Sequence, residues 1–224
     1  PERQKKLLNR LQSAASTPLL VGQDAEWGQA MRLDSTYKFP TSLTVGAAGG
    51  GMDAYDLGHA LARECSAVGV HMSFSPVLDV NTNPGNPIIG ARSFGSDPNR
   101  VNALGVEVVK GIQAQGVLAC GKHFPGHGDT QQDSHKTLPK VDRTLKELME
   151  VEWVPFKGAI DAGVSAIMIA HLNIPSIEPS GKPTSLSHKL INGILREQWG
   201  YDGLVITDAL NMKGAAAFAP PGEL

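Results

Sequence analysis

The chain has 224 residues, of which 41% are hydrophobic, and its 20 basic and 22 acidic side chains give a formal net charge of −2. This composition is typical of a globular α/β protein. No block of like charge indicates a nucleic-acid partner, and the longest apolar runs are far too short to span a bilayer. Cys65 and Cys120 lie in apolar segments, so we predict two buried free thiols.

The chain opens with a helical pattern, RQKKLLNRLQSA, and then alternates short apolar runs with amphipathic segments. The runs are almost continuously apolar, as expected of parallel strands that are covered on both faces. Five of them predict strands, and they are PLLVGQD from Pro18, VHMSFSPVLDV from Val70, VLACGKH from Val117, VSAIMIAH from Val164 and LVITD from Leu204.

Helix signals lie between the predicted strands. Asp97 is placed to cap a helix that begins at a proline. Thr144 and Glu147 have the spacing of a capping box, while Ser187 and Gly200 are placed to begin and end a later helix. Strict alternation of strand and helix predicts a parallel α/β fold in one domain. No glycine-rich nucleotide fingerprint follows the first strand.

Every predicted strand ends in polar side chains, and these are Asp24, Asp79, Lys122 with His123, His171 with Asn173, and Asp208. A (β/α)8 TIM-type barrel builds its active site from the carboxyl ends of several strands, whereas a doubly wound sheet collects ligand groups mainly at one crevice. The polar strand ends therefore favour the barrel. A barrel needs about eight strands. We therefore expect residues 1–224 to form an incomplete, C-shaped barrel that lacks units at both ends, with Asp208 near its open edge.

The densest cluster of titratable groups is KHFPGHGDTQQDSH at residues 122–135. Its proline and glycines disfavour a helix or strand through it. Asp133 and His135 are separated by one serine, a spacing that lets a carboxylate orient an imidazole and stabilise its protonated form. Lys122 can donate hydrogen bonds, and a neutral His123 can donate and accept them. This combination suits the recognition of sugar hydroxyls.

The residues taken singly leave other roles open. Asp208 could cap the helix that follows it, or act as a nucleophile or electrostatic stabiliser at a strand end. Arg92 could form an ion pair within its loop, and Asp24 could cap a turn. Asp79 and His171 are candidates for supporting positions behind the site.

The segments KHFPGHGDTQQDSH and LVITDALNMKGA resemble glycoside hydrolase family 3, and within it the bacterial β-N-acetylhexosaminidases of the NagZ type. VGQDAEWGQAMRL, FSPVLDVNTNP and GARSFGSDP extend the resemblance over essentially the whole chain. One departure is Trp27, which stands where many relatives have a glycine near the sugar. That change puts the specificity for the aglycone in question.

The resemblance implies that residues 1–224 belong to the family's N-terminal catalytic barrel. It implies a retaining, exo-acting β-N-acetylglucosaminidase that removes terminal β-linked N-acetylhexosamine from cell-wall muropeptides or chitin-type oligosaccharides. Asp208 would be the nucleophile, and His135, paired with Asp133, would be the acid/base. The implied sugar-binding residues are Asp24, Arg92, Lys122 and His123. No metal or organic cofactor is expected, and the expected partner is a small oligosaccharide substrate.

Two other functions are compatible with the same residues. Histidines and aspartates at barrel strand ends also suit a metal-dependent hydrolase, although no HxH on a first strand and no Cys/His ligand spacing is present. A catalytically incomplete barrel could bind carbohydrate without turning it over. The sequence leaves open the oligomeric state, and it leaves open the compartment, whether bacterial cytoplasm or periplasm.

Overall fold

The computed structural model describes residues 1–48, 53–131, 137–220 and 222–224. Within these ranges five parallel strands form one sheet in sequential order. The strands are β1 Gly22–Gln23, β2 Met72–Ser73, β3 Leu118–Phe124, β4 Ala166–Ile169 and β5 Leu204–Thr207. In this part of the chain β1 and β5 each pair with a single neighbour, so they are the two edges of the sheet. The predicted partial barrel is confirmed, and Asp208 follows an edge strand.

The helices are α1 Glu2–Ala14, α2 Ser42–Ala47, α3 Ala54–Ala67, α4 Pro98–Ala114, α5 Leu145–Glu150, α6 Val154–Asp161 and α7 Lys213–Ala216, with a π-helical segment at Lys189–Gln198. Of these, α3 packs against β2, and α4 and α6 pack against β3. The helix signals predicted at Asp97, Thr144 and Gly200 are confirmed, whereas the N-cap residue of the π-helical segment is His188 and not the predicted Ser187. The Oγ atom of Ser187 still accepts a hydrogen bond from the Leu190 N–H at 3.3 Å. Asp97 accepts a hydrogen bond from the Asn99 N–H at 3.0 Å, and the capping box of Thr144 and Glu147 is complete. Gly200 has a φ of 66°, the left-handed conformation that favours glycine after a helix.

The core contains both cysteines as buried free thiols, as predicted. Burial raises the pKa of Cys65 to about 11 and that of Cys120 to about 12, so neither thiol is poised for reaction. Across the described ranges, no helix has the length and apolar character needed to cross a bilayer.

Two glycines allow α3 and α4 to cross at close range. A Cβ atom on Gly111 would lie 2.1 Å from the carbonyl oxygen of Tyr55 in α3. A Cβ atom on Gly58 would lie 2.4 Å from the carbonyl oxygen of Val108 in α4. Both neighbours are backbone atoms, which cannot move away without shifting a helix. The contact therefore fixes how closely α3 and α4 approach each other.

We expect Gly111→Ala to lower the free energy of unfolding by about 2–3 kcal/mol, because the added methyl group forces two helices apart. Gly193→Ala is the matched control, since nothing lies within 4 Å of a Cβ atom built there. That substitution should change stability by less than about 1 kcal/mol, in the stabilising direction. Urea unfolding of both variants measures the difference. If Gly111→Ala had the same free energy of unfolding as Gly193→Ala, the close crossing of α3 and α4 would be contradicted.

Candidate active site

A cavity of about 520 Å³ opens at the carboxyl ends of the strands. Five of the predicted catalytic and sugar-binding side chains line it, and these are Asp24, Arg92, Lys122, His123 and Asp208. They come from loops or strand ends that are far apart in the sequence. Asp133 and His135 lie in the segment 132–136, outside the described residues. Their predicted pairing therefore stays a prediction.

The strongest electrostatic feature of the cavity is a cluster of five charged side chains. The Nζ atom of Lys122 lies 2.8 Å from Oδ1 of Asp24 and 2.7 Å from Oε1 of Glu26. Arg92 binds Glu26 in a bidentate manner, with Nε–Oε2 and Nη2–Oε1 distances of 3.0 and 2.8 Å. Arg32 pairs with the second oxygen of Asp24. The two carboxylates thus hold three cations in fixed positions, and we call these five residues the charged cluster.

The cations keep both carboxylates ionised. Burial raises the pKa of Glu26, but Lys122 and Arg92 outweigh it and lower the pKa to about 2. The pKa of Asp24 is likewise lowered, because Lys122 and Arg32 outweigh its burial. Glu26 was missed as a candidate, although it lies only two residues after Asp24 in a segment already assigned to the site. A second carboxylate so close to a strand end was the available signal.

We expect Glu26→Gln to lower the free energy of unfolding by about 3 kcal/mol at pH 7, because Arg92 loses its buried carboxylate partner and Lys122 keeps only Asp24. The folded-state pKa of Glu26, about 2, lies below its ordinary value of 4.5. Its contribution is therefore present above pH 4.5 and is lost as the pH falls towards 2. Unfolding curves measured at neutral and at acidic pH should show that the difference in free energy of unfolding between wild type and variant becomes smaller as the pH falls. A gap that widens with acid would contradict the ion-pair assignment.

His123 is held in one tautomer by its two neighbours. Its Nε2 atom lies 3.2 Å from Nη2 of Arg92, and its Nδ1 atom lies 2.7 Å from Oδ2 of Asp79. A guanidinium group can only donate, so Nε2 accepts and Nδ1 carries the proton that is donated to Asp79. Burial and the positive charges of Arg92 and Lys122 hold the pKa of His123 well below its ordinary value. His123 is therefore a neutral ring at the cavity wall.

Asp79 is completely buried beneath the wall that His123 forms. It lies beyond the end of β2 at Ser73, and not at the strand end that the sequence predicted. Its carboxylate accepts hydrogen bonds from the backbone N–H groups of His123 and His127 as well as from the His123 ring. Burial raises the pKa of Asp79, and these N–H donors act against that rise. Asp79 thus anchors the end of β3 and the start of the loop that follows it from behind the cavity.

Asp208 follows β5 directly, and its side chain is half-buried at the cavity wall. Its N–H donates to the carbonyl oxygen of Ile169 at 2.9 Å, which extends the pairing of β5 with β4. Its Oδ1 atom accepts a hydrogen bond from the Ala209 N–H at 2.8 Å. The alternative role as a helix cap is wrong, because α7 begins only at Lys213 with Met212 in the N-cap position. The carboxylate is therefore available to the cavity.

Apolar side chains complete the cavity wall, and they include Trp27, Met31, Phe74, Ile88, Met168 and Ile206. An apolar wall with a few fixed polar groups is the usual composition of a small-molecule site. Trp27 contributes an aromatic surface beside the charged cluster. The tryptophan that stands in place of the glycine noted in the sequence analysis is therefore part of the cavity wall. Among the residues described by the structure, no group of three or more His, Cys, Asp or Glu side chains is arranged to hold a metal ion.

Known proteins resemble this chain along most of its length. The Glycosyl hydrolase family 3 N terminal domain matches residues 2–223. Beta-hexosaminidase A from Pseudoalteromonas piscicida is 36% identical over 236 residues, which cover 96% of this chain and 40% of that protein. A solved family 3 β-N-acetylglucosaminidase from Paenibacillus sp. str. FPU-7 is 43% identical with a TM-score of 0.90, covering 96% of this chain and 42% of that one.

Native NagZ from Neisseria gonorrhoeae has 34% identity and a TM-score of 0.87, and the similarity covers 97% of this chain and 65% of that one. The chain therefore spans between 40% and 65% of the length of these relatives. The family match extends over almost every residue, and it includes all the segments that build the cavity. This chain belongs to glycosyl hydrolase family 3, and the part of the family that it matches is the N-terminal domain.

Proposed function

We propose that this domain is the catalytic barrel of a retaining, exo-acting β-N-acetylglucosaminidase. It would release terminal β-linked N-acetylhexosamine from cell-wall muropeptides or chitin-type oligosaccharides. The observation that carries the proposal is that Asp208 and the charged cluster line one cavity. The names of the relatives, among them a β-hexosaminidase and a β-N-acetylglucosaminidase, support the class of sugar.

The charged cluster suits the binding of a single sugar ring. Carboxylate oxygens of Asp24 and Glu26 accept hydrogen bonds from hydroxyl groups, and the N–H groups of Arg92 and Lys122 donate them. These four side chains already fix one another, so little side-chain freedom is lost when a sugar replaces water. A volume of about 520 Å³ is within the usual range for a small-molecule site.

The proposed reaction has two steps. First, His135 donates a proton to the glycosidic oxygen while an Asp208 oxygen attacks the anomeric carbon. The carbon–oxygen bond breaks, its electron pair stays with the leaving alcohol, and a covalent glycosyl–Asp208 ester remains. Second, neutral His135 takes a proton from water, whose oxygen attacks the same carbon and releases the Asp208 carboxylate. Two inversions at one carbon retain the β configuration.

An imidazole is well suited to both proton transfers. Its unperturbed pKa of about 6.5 lets it exist in either protonation state near neutral pH. Asp133 would select the tautomer and stabilise the imidazolium form. A carboxylic acid in the same role would need its pKa raised by burial. This role explains why a carboxylate other than the nucleophile Asp208, that of Asp133, lies two residues from the proposed acid/base His135.

A substrate panel on the full-length protein tests the proposal. We expect turnover of aryl β-N-acetylglucosaminides and of short muropeptide or chitin fragments, with little turnover of the matched β-glucosides. Activity should survive a chelator. Turnover that a chelator abolishes would favour a metal-dependent hydrolase, and binding of N-acetylglucosamine without any turnover would favour a carbohydrate-binding barrel.

A further inference from the structure

The segment that carries Asp208 leaves an edge strand, yet it is bound firmly on the side of β4. The Asp208 N–H is hydrogen-bonded to Ile169, and a side chain in addition holds the carbonyl group of the following residue, Ala209. The Nε2 atom of His171 lies 3.1 Å from the carbonyl oxygen of Ala209. His171 follows β4 and is completely buried. A buried imidazole therefore holds the residue immediately after Asp208.

The protonation of His171 follows from its two partners. The carbonyl oxygen of Ala209 can only accept, so Nε2 of His171 carries a proton and donates it. The Nδ1 atom lies 2.7 Å from the Oγ atom of Ser185, whose hydroxyl group can donate to it. The backbone beside Ser185 is held in place, because the adjacent Thr184 hydroxyl donates to the carbonyl oxygen of Ala170 at 2.7 Å. The chain of hydrogen bonds thus runs from Ser185 through His171 to Ala209.

Ala209 passes this constraint on to Asp208. Its N–H donates to Oδ1 of Asp208 at 2.8 Å, so the peptide unit that His171 holds is next to the group that orients the carboxylate. One carboxylate oxygen is engaged in this way and the other is left for attack. We propose that the Ser185–His171 pair is a positioning unit that aligns Asp208 with the anomeric carbon. This proposal rests on the function proposed above.

A positioning role makes a distinctive kinetic prediction. Both the formation and the breakdown of the glycosyl–Asp208 ester depend on the position of the carboxylate, whatever the leaving group. A displacement of about 1 Å can cost on the order of 10²-fold in rate. Loss of His171 should therefore slow good and poor leaving groups by the same factor. Loss of the acid/base would instead slow poor leaving groups selectively.

The test compares His171→Leu and His171→Gln in the full-length protein, with His188→Gln as the matched control on an exposed histidine. The readouts are the rate at which a mechanism-based fluorosugar labels Asp208, and kcat over a series of aryl leaving groups. We expect His171→Leu to lower both by roughly 10²-fold, equally across leaving groups. His171→Gln retains an N–H donor and should recover most of the rate, to within about tenfold of wild type. The control should behave as wild type.

The possible outcomes separate the two proposals. If the fluorosugar labels Asp208 in the wild type and labels His171→Leu at the same rate, the positioning role is overturned and the proposed function stands. If the wild type is labelled at another residue, both are overturned. Ser185→Ala is the milder variant if His171→Leu does not fold. It should give a several-fold loss that is equal across leaving groups, and a loss confined to poor leaving groups would contradict the proposal.

Discussion

Asp208→Ala is expected to lower kcat by at least about 10⁴-fold while the protein stays folded. The loss is large because the carboxylate would form the covalent intermediate. Folding should be little affected, because among the described residues the one hydrogen bond to the Asp208 side chain comes from the adjacent Ala209 N–H. Steady-state kinetics and thermal unfolding measure the two effects separately.

Asp202→Ala is a suitable control for this experiment, because Asp202 is an exposed aspartate just before β5. It should retain wild-type kcat. A mechanism-based fluorosugar should label the wild type at Asp208, and the site can be identified by peptide mass. Near-normal turnover by Asp208→Ala, or labelling of another carboxylate, would show that the nucleophile lies elsewhere.

His135→Ala is expected to lower kcat/KM for substrates with poor leaving groups by about 10²–10⁴-fold. Substrates with activated aryl leaving groups should lose far less, because their departing oxygen needs little protonation. Asp133→Asn should give a smaller defect of the same kind, since it leaves the imidazole in place but removes the charge that stabilises its protonated form. A plot of log(kcat/KM) against leaving-group pKa, for wild type and both variants, measures the effect.

A steeper slope for His135→Ala than for wild type would support the acid/base role. Parallel lines for His135→Ala and wild type would contradict the acid/base role. Parallel lines are the pattern that we expect for the His171 variants. His188→Ala, on an exposed histidine, is the control and should overlay the wild type. The same set of substrates thus distinguishes proton transfer from positioning of the nucleophile.

The strand and helix pattern was predictable because its causes are local. Apolar runs marked all five strands, and caps such as Asp97 and Thr144 marked helix starts that the structure reproduces. The lengths of the strands were not predictable. β1 and β2 have only two paired residues each. Leu19 and Leu20, predicted to lie in the first strand, are 40% and 58% exposed, and Val77, predicted to lie in the second, meets β3 only through an isolated bridge to Lys122.

The site was only partly predictable. The resemblance pointed to Asp24, Arg92, Lys122, His123 and Asp208, and the structure brings these residues to one cavity, while their roles stay predictions. Glu26 was missed because its importance comes from its partners. Arg92, which binds Glu26, lies 66 residues further along the chain, and Lys122 lies 98 residues from the neighbouring Asp24. No local pattern reveals a contact of that separation.

The sequence by itself determined the class of fold, the order of its elements and the family, because these depend on residue type and on spacing along the chain. Only the tertiary structure decided which polar and charged groups contact one another. It paired Glu26 with both Lys122 and Arg92, fixed the tautomer of His123 between Arg92 and Asp79, and set His171 against Ala209. The physical reason is that a hydrogen bond depends on distance and direction between two atoms, and for residues far apart in sequence only the packed fold sets these.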